Sequence, residues 1–363
     1  MKIVRLALKN NPYKIVIGHN ILPKLGAQLK KMNIGHDAVI ITNPVVKKYY
    51  GQAIETSLKR AGFSVRFFQV PDGERSKSVK AAHDLLNRIA SYDAMKQIFV
   101  IVLGGGVIGD LAGYVASVYK RGVPYVQVPT SFLAQIDSAI GGKVAVDLSV
   151  GKNLVGAYYH PKIVWSDTRV LATLDQRQLR NGLAEVVKYG VIYDRKFFNY
   201  VQVNYKKVLS CDPKVLTAIV TRCSQIKANI VARDEKETKS IRTILNFGHT
   251  IGHAIETASG FNRYQHGEAI ALGMRVACAI SFRLKMIGIV EANQILQLLT
   301  DIGLPQEIKS VSLRDILSIM QHDKKFIRGK NRFVLVSRIG TVKVVEGVPL
   351  HIVEESIKRY CCP

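Results

Sequence analysis

The stretch from residue 242 to residue 268 contains residue types that could carry out metal-dependent chemistry. Five polar residues follow one another there at spacings of 4, 3, 4 and 3, namely Arg242, Asn246, His249, His253 and Glu256. On one continuous helix these side chains would lie within about 80° of arc. A solvated helix face more often carries Lys and Glu, so the pattern predicts a binding site on a buried helix over residues 242–259.

A third histidine, His266, follows within the same short stretch. A single histidine is more often a hydrogen-bonded core residue, but three of them so close together favour a metal site. Gly248 and Gly252 lie inside the predicted helix, where each costs about 1 kcal/mol relative to Ala. We therefore expect another part of the protein or a ligand to approach this backbone closely.

A carboxylate for the same metal is predicted earlier in the chain. Asp175 can cap a helix that carries Asn181, Glu185 and Lys188 on its polar face. A glutamate beside apolar residues is usually a surface residue or a lysine's partner. As a third metal ligand, Glu185 with two histidines would leave the open coordination position that catalytic zinc requires.

A glycine-rich turn follows an apolar run at residues 98–103. Gly104, Gly106 and Gly109 fit the pattern G-x-G-x-x-G, which favours pyrophosphate binding at a helix N-terminus. The acidic residue that usually binds the ribose is missing about 20 residues later, where the chain reads VQVP. The turn thus predicts either a nucleotide-phosphate site without standard Rossmann geometry or close helix–strand packing alone.

Several other polar residues follow predicted strands or glycines. The turn Asp72-Gly73-Glu74 could hold a ribose hydroxyl or be an ordinary acidic turn. Lys143 and the pair Lys152-Asn153 each follow glycines, and Arg121 follows the glycine-turn helix. Together these cations indicate a site for a ligand with several negative charges.

Composition limits the function classes. The 363 residues include 52 Lys and Arg against 27 Asp and Glu, a net charge of +25. That excess permits nucleic-acid, membrane or acidic-substrate binding, but the charges are scattered and form no basic tail. The five cysteines form no CxxC pair, which favours a reducing cytoplasm, and the polar start predicts no signal peptide.

The order of elements predicts a fold in two parts. Up to about residue 170, β-branched runs alternate with helical patterns, which predicts an α/β domain with a mostly parallel, Rossmann-like sheet. From residue 174 the pattern is mainly helical. We therefore predict an α/β domain over residues 1–174 and a mainly helical domain over residues 175–363.

The chain resembles the 3-dehydroquinate synthase family, within the sugar phosphate cyclases, over most of its length. The matching segments are DGERSK (72–77), LGGGVIGDLAGYVAS (103–117), RGVPYVQVPTSFLAQIDSAIGGK (121–143), GKNLVGAYYHP (151–161), GLAEVVKYG (182–190), DEKE (234–237), LNFGHTIGHAIE (245–256), HGEAIALGM (266–274) and HDKK (322–325). The resemblance implies that the α/β domain, residues 1–174, binds NAD and that the helical domain, residues 175–363, binds the metal and the substrate. It also implies an active site in the cleft between them.

The resemblance also implies site residues. The ligands of Zn²⁺ or Co²⁺ would be Glu185, His249 and His266, whereas spacing alone suggests His249 with His253. His253 would instead be catalytic or organise water. The substrate would be contacted or the site organised by Arg121, Asp137, Lys143, Lys152, Asn153, Lys188, Lys227, Glu237, Arg242, Asn246 and Lys324. NAD would be contacted by Asn43, Asp72, Glu74, Lys77, Gly105, Gly106, Val107, Ile108, Gly109, Asp110, Thr130, Ser131, Lys143, Lys152 and Thr173.

Two segments depart from the family pattern. The loop at residues 238–241 is one residue longer than usual, which puts the role of Glu237 in question. Val144-Ala145-Val146 replaces a form that more often contains threonine.

The reaction implied is conversion of an anionic sugar-acid phosphate, 3-deoxy-D-arabino-heptulosonate 7-phosphate, to 3-dehydroquinate and phosphate. In this reaction NAD takes a hydride from the substrate, and the NADH that forms later returns it. A cytoplasmic homodimer that binds neither nucleic acid nor membrane is expected. The alternatives are another sugar phosphate cyclase, such as a 2-deoxy-scyllo-inosose or 2-epi-5-epi-valiolone synthase, a metal-dependent glycerol-type dehydrogenase, and a basic nucleic-acid-binding protein.

Overall fold

The structure is a computed structural model that describes residues 1–260, 263–322 and 331–361. Lys324, one of the proposed substrate residues, lies outside this part of the chain. The strands, in chain order, are β1 (Lys2–Leu6), β2 (Tyr13–Gly18), β3 (Asp37–Thr42), β4 (Ser64–Gln69), β5 (Ile98–Gly104), β6 (Tyr125–Pro129), β7 (Lys143–Leu148), β8 (Gly151–Tyr158), β9 (Ile163–Asp167), β10 (Arg332–Arg338) and β11 (Thr341–Glu346).

Thirteen α-helices lie within the described ranges. A π-helical turn, Lys47–Gly51, joins the second to the third. In chain order the helices are α1 (Leu25–Met32), α2 (Pro44–Val46), α3 (Gln52–Arg60), α4 (Val79–Tyr92), α5 (Gly106–Val118), α6 (Gln176–Tyr193), α7 (Arg195–Leu209), α8 (Pro213–Arg233), α9 (His249–Ala258), α10 (His266–Arg283), α11 (Ile289–Asp301), α12 (Leu313–His322) and α13 (Leu350–Lys358).

The chain forms two compact units. The first contains Met1–Leu174 and Pro213–Lys236, and the second contains Asp175–Asp212 and Glu237–Pro363. The division into functional domains at residue 174 stays a prediction. The packing differs from that prediction in one respect: α8 belongs to the first unit, because its apolar face covers β1 and β2.

A seven-stranded sheet organises the first unit. Its strand order is β1-β2-β9-β6-β5-β3-β4, and every neighbouring pair is parallel except β1 and β2. All seven residues of β5 are buried, as expected for a strand covered by helices on both faces. The prediction of a mostly parallel α/β sheet is confirmed.

The order in which successive strands are added to the sheet reverses between β3 and β5. The connection after β3 leads to β4 on one side, whereas the connection after β5 leads to β6 on the other. In doubly wound sheets, a crevice opens outside the carboxyl ends of the strands at such a switch point. Asn43 follows β3 and Gly105 follows β5, so both lie at this crevice.

An antiparallel hairpin, β7–β8, lies on α5. The contact is close, because a Cβ on Gly113 of α5 would lie 2.4 Å from Val144 Cγ1. The sequence analysis predicted neither strand and identified only polar residues that follow glycines here. Lys143 begins β7, and Lys152 and Asn153 lie near the start of β8.

The predicted single helix over residues 242–259 is wrong. Residues Ile241–Asn246 form a 3₁₀ helix, and α9 starts anew at His249. Gly248 breaks the helix because it adopts φ +80°, a left-handed conformation that favours glycine. The five polar residues therefore do not share one helical face.

Close packing against α10 explains the glycines of this region. A Cβ on Gly252 would lie 2.7 Å from Ile270 Cδ1, and a Cβ on Gly273 would lie 1.9 Å from the carbonyl oxygen of Gly248. The close approach expected from the sequence thus comes from a neighbouring helix. This approach brings His249, at the start of α9, near His266, at the start of α10.

The rest of the second unit consists of α6, α7, α11, α12, α13 and the hairpin β10–β11. The cap on α6 is confirmed, since Asp175 accepts a hydrogen bond from the backbone N–H of Gln178 at 2.7 Å. Helix α7 was not predicted. Within the described residues, no helix combines the length and the apolar character needed to cross a membrane.

Candidate active site

Polar side chains meet at the switch point of the first unit. Asn43 caps α2, because its Oδ1 accepts from the backbone N–H of Val46 at 2.8 Å. Its Nδ2 donates to Asp72 Oδ1 at 2.6 Å. The strand ends of β3 and β4 are therefore joined by an amide–carboxylate pair whose remaining oxygens can accept hydroxyl groups.

Lys77 is a buried lysine of the same unit. Lys77 Nζ donates to Asp110 Oδ2 at 2.6 Å and also to Asn153 Oδ1. Burial alone would lower the pKa of Lys77, but the carboxylate of Asp110 outweighs that effect and raises the pKa. Lys152 Nζ lies 3.3 Å from Glu74 Oε1. The hairpin residues thus join the residues that follow β4 and β5.

The glycine turn opens α5 as predicted. Gly105 is the extended N-cap residue, and Gly106, Val107 and Ile108 begin the helix, so their N–H groups have no partner within it. Gly109 N donates to Gly105 O at 2.9 Å and closes the first turn. Free backbone N–H groups at a helix N-terminus favour an anion such as a phosphate.

Small residues surround this turn. A Cβ on Gly105 would lie 3.3 Å from Ser131 Oγ, so a larger side chain would fill the space over the turn. Thr130 is buried after β6, and its N–H donates to Gly104 O at 2.9 Å.

Thr173 is farther along the chain, and its hydroxyl contacts Tyr50 Oη, which also donates to Val170 O at 2.8 Å.

Other predicted substrate residues of the first unit differ in their surroundings. Lys227 is buried, and its Nζ lies 2.8 Å from Asp137 Oδ1 and donates to Asp137 O at 2.7 Å. Lys143 and Arg121 are exposed. Arg121 adopts φ +64°, a left-handed backbone conformation that few non-glycine residues adopt.

Three ligand-type side chains converge in the second unit. Glu185 Oε1 lies 3.5 Å from His249 Nε2 and 3.6 Å from His266 Nε2. The three ligand atoms lie within 4.8 Å of one another. The helices α6, α9 and α10 each supply one of them, so residues that spacing alone would not group together meet in space. A second group, His253, Glu256 and His266, also has ligand atoms within 4.8 Å of one another.

The surroundings of Glu185 fit a cation. Its side chain is only 1 % exposed, and its Oε1 receives no hydrogen bond from the described residues. Lys188 Nζ contacts Oε2, one turn further along α6, while Oε1 faces the two imidazoles. A buried carboxylate oxygen without a hydrogen bond is costly, and a divalent cation would satisfy it.

Each imidazole is oriented by a second group. His249 Nδ1 lies 3.1 Å from the carbonyl oxygen of Phe247, and His266 Nδ1 lies 3.4 Å from Glu256 Oε2. Such partners fix the proton on Nδ1 and leave Nε2 available as a metal ligand. Glu256 was part of the predicted polar stripe, but the sequence did not reveal that it faces His266.

The carboxylates around His266 affect its pKa. Burial would lower the pKa of His266, but the neighbouring carboxylates of Glu185 and Glu256 raise it to about 10. Two carboxylates around one imidazole therefore favour positive charge at this point. The donor set of one carboxylate and two imidazoles matches that of catalytic zinc sites with an open position.

Among the remaining predicted residues of the second unit, His253 lies near His249 and His266, whereas Glu237, Arg242 and Asn246 precede α9 in the chain. The ring of His253 is exposed, and its centroid lies 5.2 Å from that of His249 and 6.0 Å from that of His266. Arg242 is buried, with Nε 3.2 Å from Glu237 Oε1, and Glu237 itself is exposed. Asn246 is half-buried at the end of the 3₁₀ helix.

Family models match most of the chain. The model described as 3-dehydroquinate synthase N-terminal matches residues 67–181, and the model described as 3-dehydroquinate synthase C-terminal matches residues 182–326. The 3-dehydroquinate synthase of Desulforamulus reducens is 42% identical over 349 residues, which cover 96% of this chain and 97% of that protein.

Solved structures have the same fold. The crystal structure of a 2-deoxy-scyllo-inosose synthase complexed with carbaglucose-6-phosphate, NAD⁺ and Co²⁺ is 27% identical, with a TM-score of 0.90 over 99% of this chain and 100% of that chain. The 2-epi-5-epi-valiolone synthase of Streptomyces hygroscopicus, with NAD⁺ and Zn²⁺ bound, is 23% identical, with a TM-score of 0.88 over 98% of each chain. At that identity the second likeness concerns the fold alone.

Proposed function

The chain belongs to the 3-dehydroquinate synthase family, and from this premise we propose how its residues divide the work of that reaction. It is a lyase of aromatic amino-acid biosynthesis that converts 3-deoxy-D-arabino-heptulosonate 7-phosphate to 3-dehydroquinate and phosphate, and it uses NAD and a divalent cation. The residue roles below are our assignment. The observation that carries them is the convergence of Glu185, His249 and His266 on one point.

Glu185, His249 and His266 would hold Zn²⁺ or Co²⁺. Two observations support this assignment of ligands: one buried carboxylate oxygen of Glu185 has no hydrogen bond, and both imidazoles are oriented through Nδ1. The chemistry that such a cation supplies when bound is Lewis-acid polarisation of substrate hydroxyl groups. Lys188 would balance the charge of Glu185 and keep an ammonium group beside the substrate hydroxyls.

The strand ends of the first unit would hold NAD, which supplies reversible hydride transfer without net consumption when bound. The support is the free N–H groups at the start of α5 and the hydroxyl-accepting oxygens at the ends of β3 and β4. The residues assigned to NAD are Asn43, Asp72, Glu74, Lys77, Gly105, Gly106, Val107, Ile108, Gly109, Asp110, Thr130, Ser131, Lys143, Lys152 and Thr173.

Cationic and amide side chains would bind the anionic ends of the substrate. A carboxylate and a phosphate both favour charge-assisted hydrogen bonds from guanidinium and ammonium groups. His253, exposed beside the two imidazole ligands, would orient or transfer protons. The residues assigned to these tasks are Arg121, Asp137, Lys143, Lys152, Asn153, Lys188, Lys227, Glu237, Arg242, Asn246, His253 and Lys324.

The test is release of phosphate from the heptulosonate phosphate, with and without NAD and with and without a chelator. We expect activity to require both NAD and the cation. We also expect that phosphate release is abolished in Glu185→Gln and in His249→Ala, while both variants still bind NAD. Glu354→Gln, an exposed glutamate in α13 of the same unit, is the control and should keep full activity. Full activity after complete removal of the cation would refute the metal role.

Substrate choice tests the anion-binding residues separately. Arg242 and Asn246 suit a carboxylate-bearing substrate, whereas the carbaglucose phosphate bound by the similar synthase has a phosphate and no carboxylate. We expect turnover of the heptulosonate phosphate and none of glucose 6-phosphate. Arg121→Ala should mainly raise the KM for the heptulosonate phosphate, and an unchanged KM would remove Arg121 from the site.

We also propose that the protein is a cytoplasmic homodimer that binds neither nucleic acid nor membrane. The supporting observation for the compartment is that the five cysteines of the sequence form no CxxC pair and show no pattern of a disulfide framework. Light scattering of the purified protein would give the mass to compare with 40.3 kDa per chain. A monomeric mass would refute the dimer.

A further inference from the structure

We propose that Arg177 and Asn181 are positioning residues for the metal ligand His266, because they hold the first turn of α10 against α6. The proposal rests on the assignment of Glu185, His249 and His266 as ligands. Neither Arg177 nor Asn181 reaches the cation in this assignment, and both would act through the backbone on either side of His266.

One face of α6 carries all the residues concerned. Arg177, Asn181, Glu185 and Lys188 follow at spacings of 4, 4 and 3, which places them in one row along the helix. Three members of this row face the start of α10 or the ligand that begins it. The helix that supplies the carboxylate ligand thus also supplies the supports for the second imidazole.

Arg177 joins the chain on both sides of His266. Its Nε donates to Glu268 Oε1 and its Nη2 to Glu268 Oε2, each at 2.7 Å. Nη2 also donates to the carbonyl oxygen of Arg263 at 3.1 Å. A bidentate guanidinium–carboxylate pair has a fixed geometry, so it determines the position of the helix start as well as its stability.

Glu268 passes this constraint on to the first turn of α10. Its Oε2 accepts from the backbone N–H of Gln265 at 2.8 Å, and the two residues form a capping box around the turn. His266 is the residue that directly follows the N-cap. The ion pair with Arg177 and the capping box therefore share one carboxylate, and His266 lies between its two ends.

Asn181 holds the next residue. Its Oδ1 accepts a hydrogen bond from the backbone N–H of Gly267, one of the N–H groups that a helix start leaves unpaired. A Cβ on Gly267 would lie 2.0 Å from the carbonyl oxygen of Asn181, so the two backbones are in direct contact. A shift of this contact would move His266 relative to Glu185.

His266 depends on such support because its own side chain is 31 % exposed, so packing alone does not fix its position. Its Nε2 lies 3.6 Å from Glu185 Oε1, across the point where the cation would bind. Metal–ligand distances tolerate deviations of only about 0.2 Å, so a small displacement of this helix start would weaken binding.

The test is the affinity of the full-length protein for Co²⁺, after the metal has been removed with a chelator and the chelator dialysed away. Equilibrium dialysis gives the Kd, and the visible absorption of bound Co²⁺ reports its ligand geometry. We expect Arg177→Gln and Asn181→Ala to raise the Kd by about 10- to 100-fold and to change the spectrum. Arg177→Lys, which keeps the charge but loses the bidentate geometry, should raise the Kd by a smaller factor.

Arg195→Gln is the matched control. Arg195 forms an ion pair with Glu291 in the same unit, and it is 50 % exposed where Arg177 is 53 % exposed. Both substitutions remove one positive charge, which by itself would strengthen cation binding. A weaker affinity in Arg177→Gln alone can therefore come only from displaced ligands.

The outcomes separate this proposal from the ligand assignment. If Glu185→Gln loses Co²⁺ binding while Arg177→Gln and Asn181→Ala bind as the unchanged protein does, the positioning role is refuted and the ligands stand. If Glu185→Gln binds Co²⁺ normally, the ligand assignment itself is wrong. Equal Kd changes in Arg177→Gln and Arg195→Gln would also refute the positioning role, and the unfolding temperature of each metal-free variant shows whether it is folded.

Discussion

The ammonium group of Lys77 lies 2.6 Å from Asp110 Oδ2 and also contacts the side chain of Asn153. These three residues come from the segment before α4, from α5 and from β8. One buried charge therefore joins three parts of the first unit beside the glycine turn. The arrangement couples the stability of this unit to the geometry of its proposed NAD site.

Replacing Lys77 by Met should destabilise the protein and weaken NAD binding. The substitution leaves Asp110 without its charged partner, and hydrogen bonds to charged groups contribute about 2 kcal/mol each. Lys77 makes two such bonds, so we expect the free energy of unfolding, measured with urea, to fall by about 2 to 4 kcal/mol. The double variant Lys77→Met/Asp110→Asn should lose less than the sum of the single losses.

Lys59→Met is the control, because Lys59 also lies 2.6 Å from a carboxylate oxygen, on Glu55, but is 61 % exposed. Exposed pairs of this kind contribute about 0.5 kcal/mol or less. If both substitutions cost the same, burial of Lys77 has no energetic role.

Replacing Gly273 by Ala should disrupt the approach of α9 to α10. The added methyl group would lie 1.9 Å from Gly248 O, so the helices must separate. We expect a loss of about 3 kcal/mol or more in the free energy of unfolding and weaker binding of Co²⁺. Gly288→Ala is the control: no atom lies within 4 Å of its added methyl group and its backbone is extended, so wild-type stability in Gly273→Ala would contradict the packing argument.

Replacing His160 by Ala should raise the KM for the substrate. The imidazole lies against Gly142, where a Cβ would be 2.5 Å from Nδ1, and its Nε2 is 3.1 Å from Glu235 Oε1. Gly142 adopts φ +68° directly before Lys143, so the ring supports the turn that presents this lysine. Loss of that support should raise the KM roughly tenfold.

Steady-state kinetics of His160→Ala and His160→Gln would check this prediction. The Gln variant can still hydrogen bond to Glu235 and should be less affected. His83→Ala, at an exposed histidine in α4, is the control. A KM that is unchanged in His160→Ala would exclude a positioning effect on Lys143.

Alkaline pH should destabilise the protein partly through Cys278. Burial raises the pKa of this thiol to about 12, whereas the ordinary value is 9.0. Above about pH 9 the unfolded chain releases the proton and the folded chain keeps it, so stability falls as pH rises towards about 12. Below about pH 9 the thiol contributes nothing to the pH dependence.

The measurement is urea unfolding of the unchanged protein and of Cys278→Ala at about pH 8 and about pH 10.5. The loss of packing in the variant is the same at both pH values, and tyrosines with raised pKa values contribute to both proteins. We expect a smaller fall in stability for Cys278→Ala. Equal falls would show that the thiol does not hold its proton in the folded state.

The parts of the fold that depend on short-range patterns could be predicted from the sequence. The parallel strands are runs of buried Val and Ile, and the first turn of α6 is capped by Asp175. The glycine turn could also be predicted, because the strand, the glycines and the helix follow one another directly in the chain. In each case the determining residues lie close together in sequence.

The errors concern features that depend on distant residues. The helix predicted over residues 242–259 breaks at Gly248 because Met274 and Ile270 of α10 lie against that residue, and no local pattern contains this contact. Helix α8 covers β1, which precedes it by about two hundred residues. The approach of Glu256 to His266 likewise depends on how α9 meets α10.

The placement of α8 has a consequence for synthesis of the protein. The first unit is built from two separate stretches, and its sheet lacks the cover of α8 over β1 and β2 until the ribosome has translated residue 236. The intervening α6 and α7 emerge earlier but belong to the other unit. We therefore expect nascent chains that end near residue 174 to expose apolar strand surface and to need chaperone protection that chains reaching beyond residue 236 no longer require.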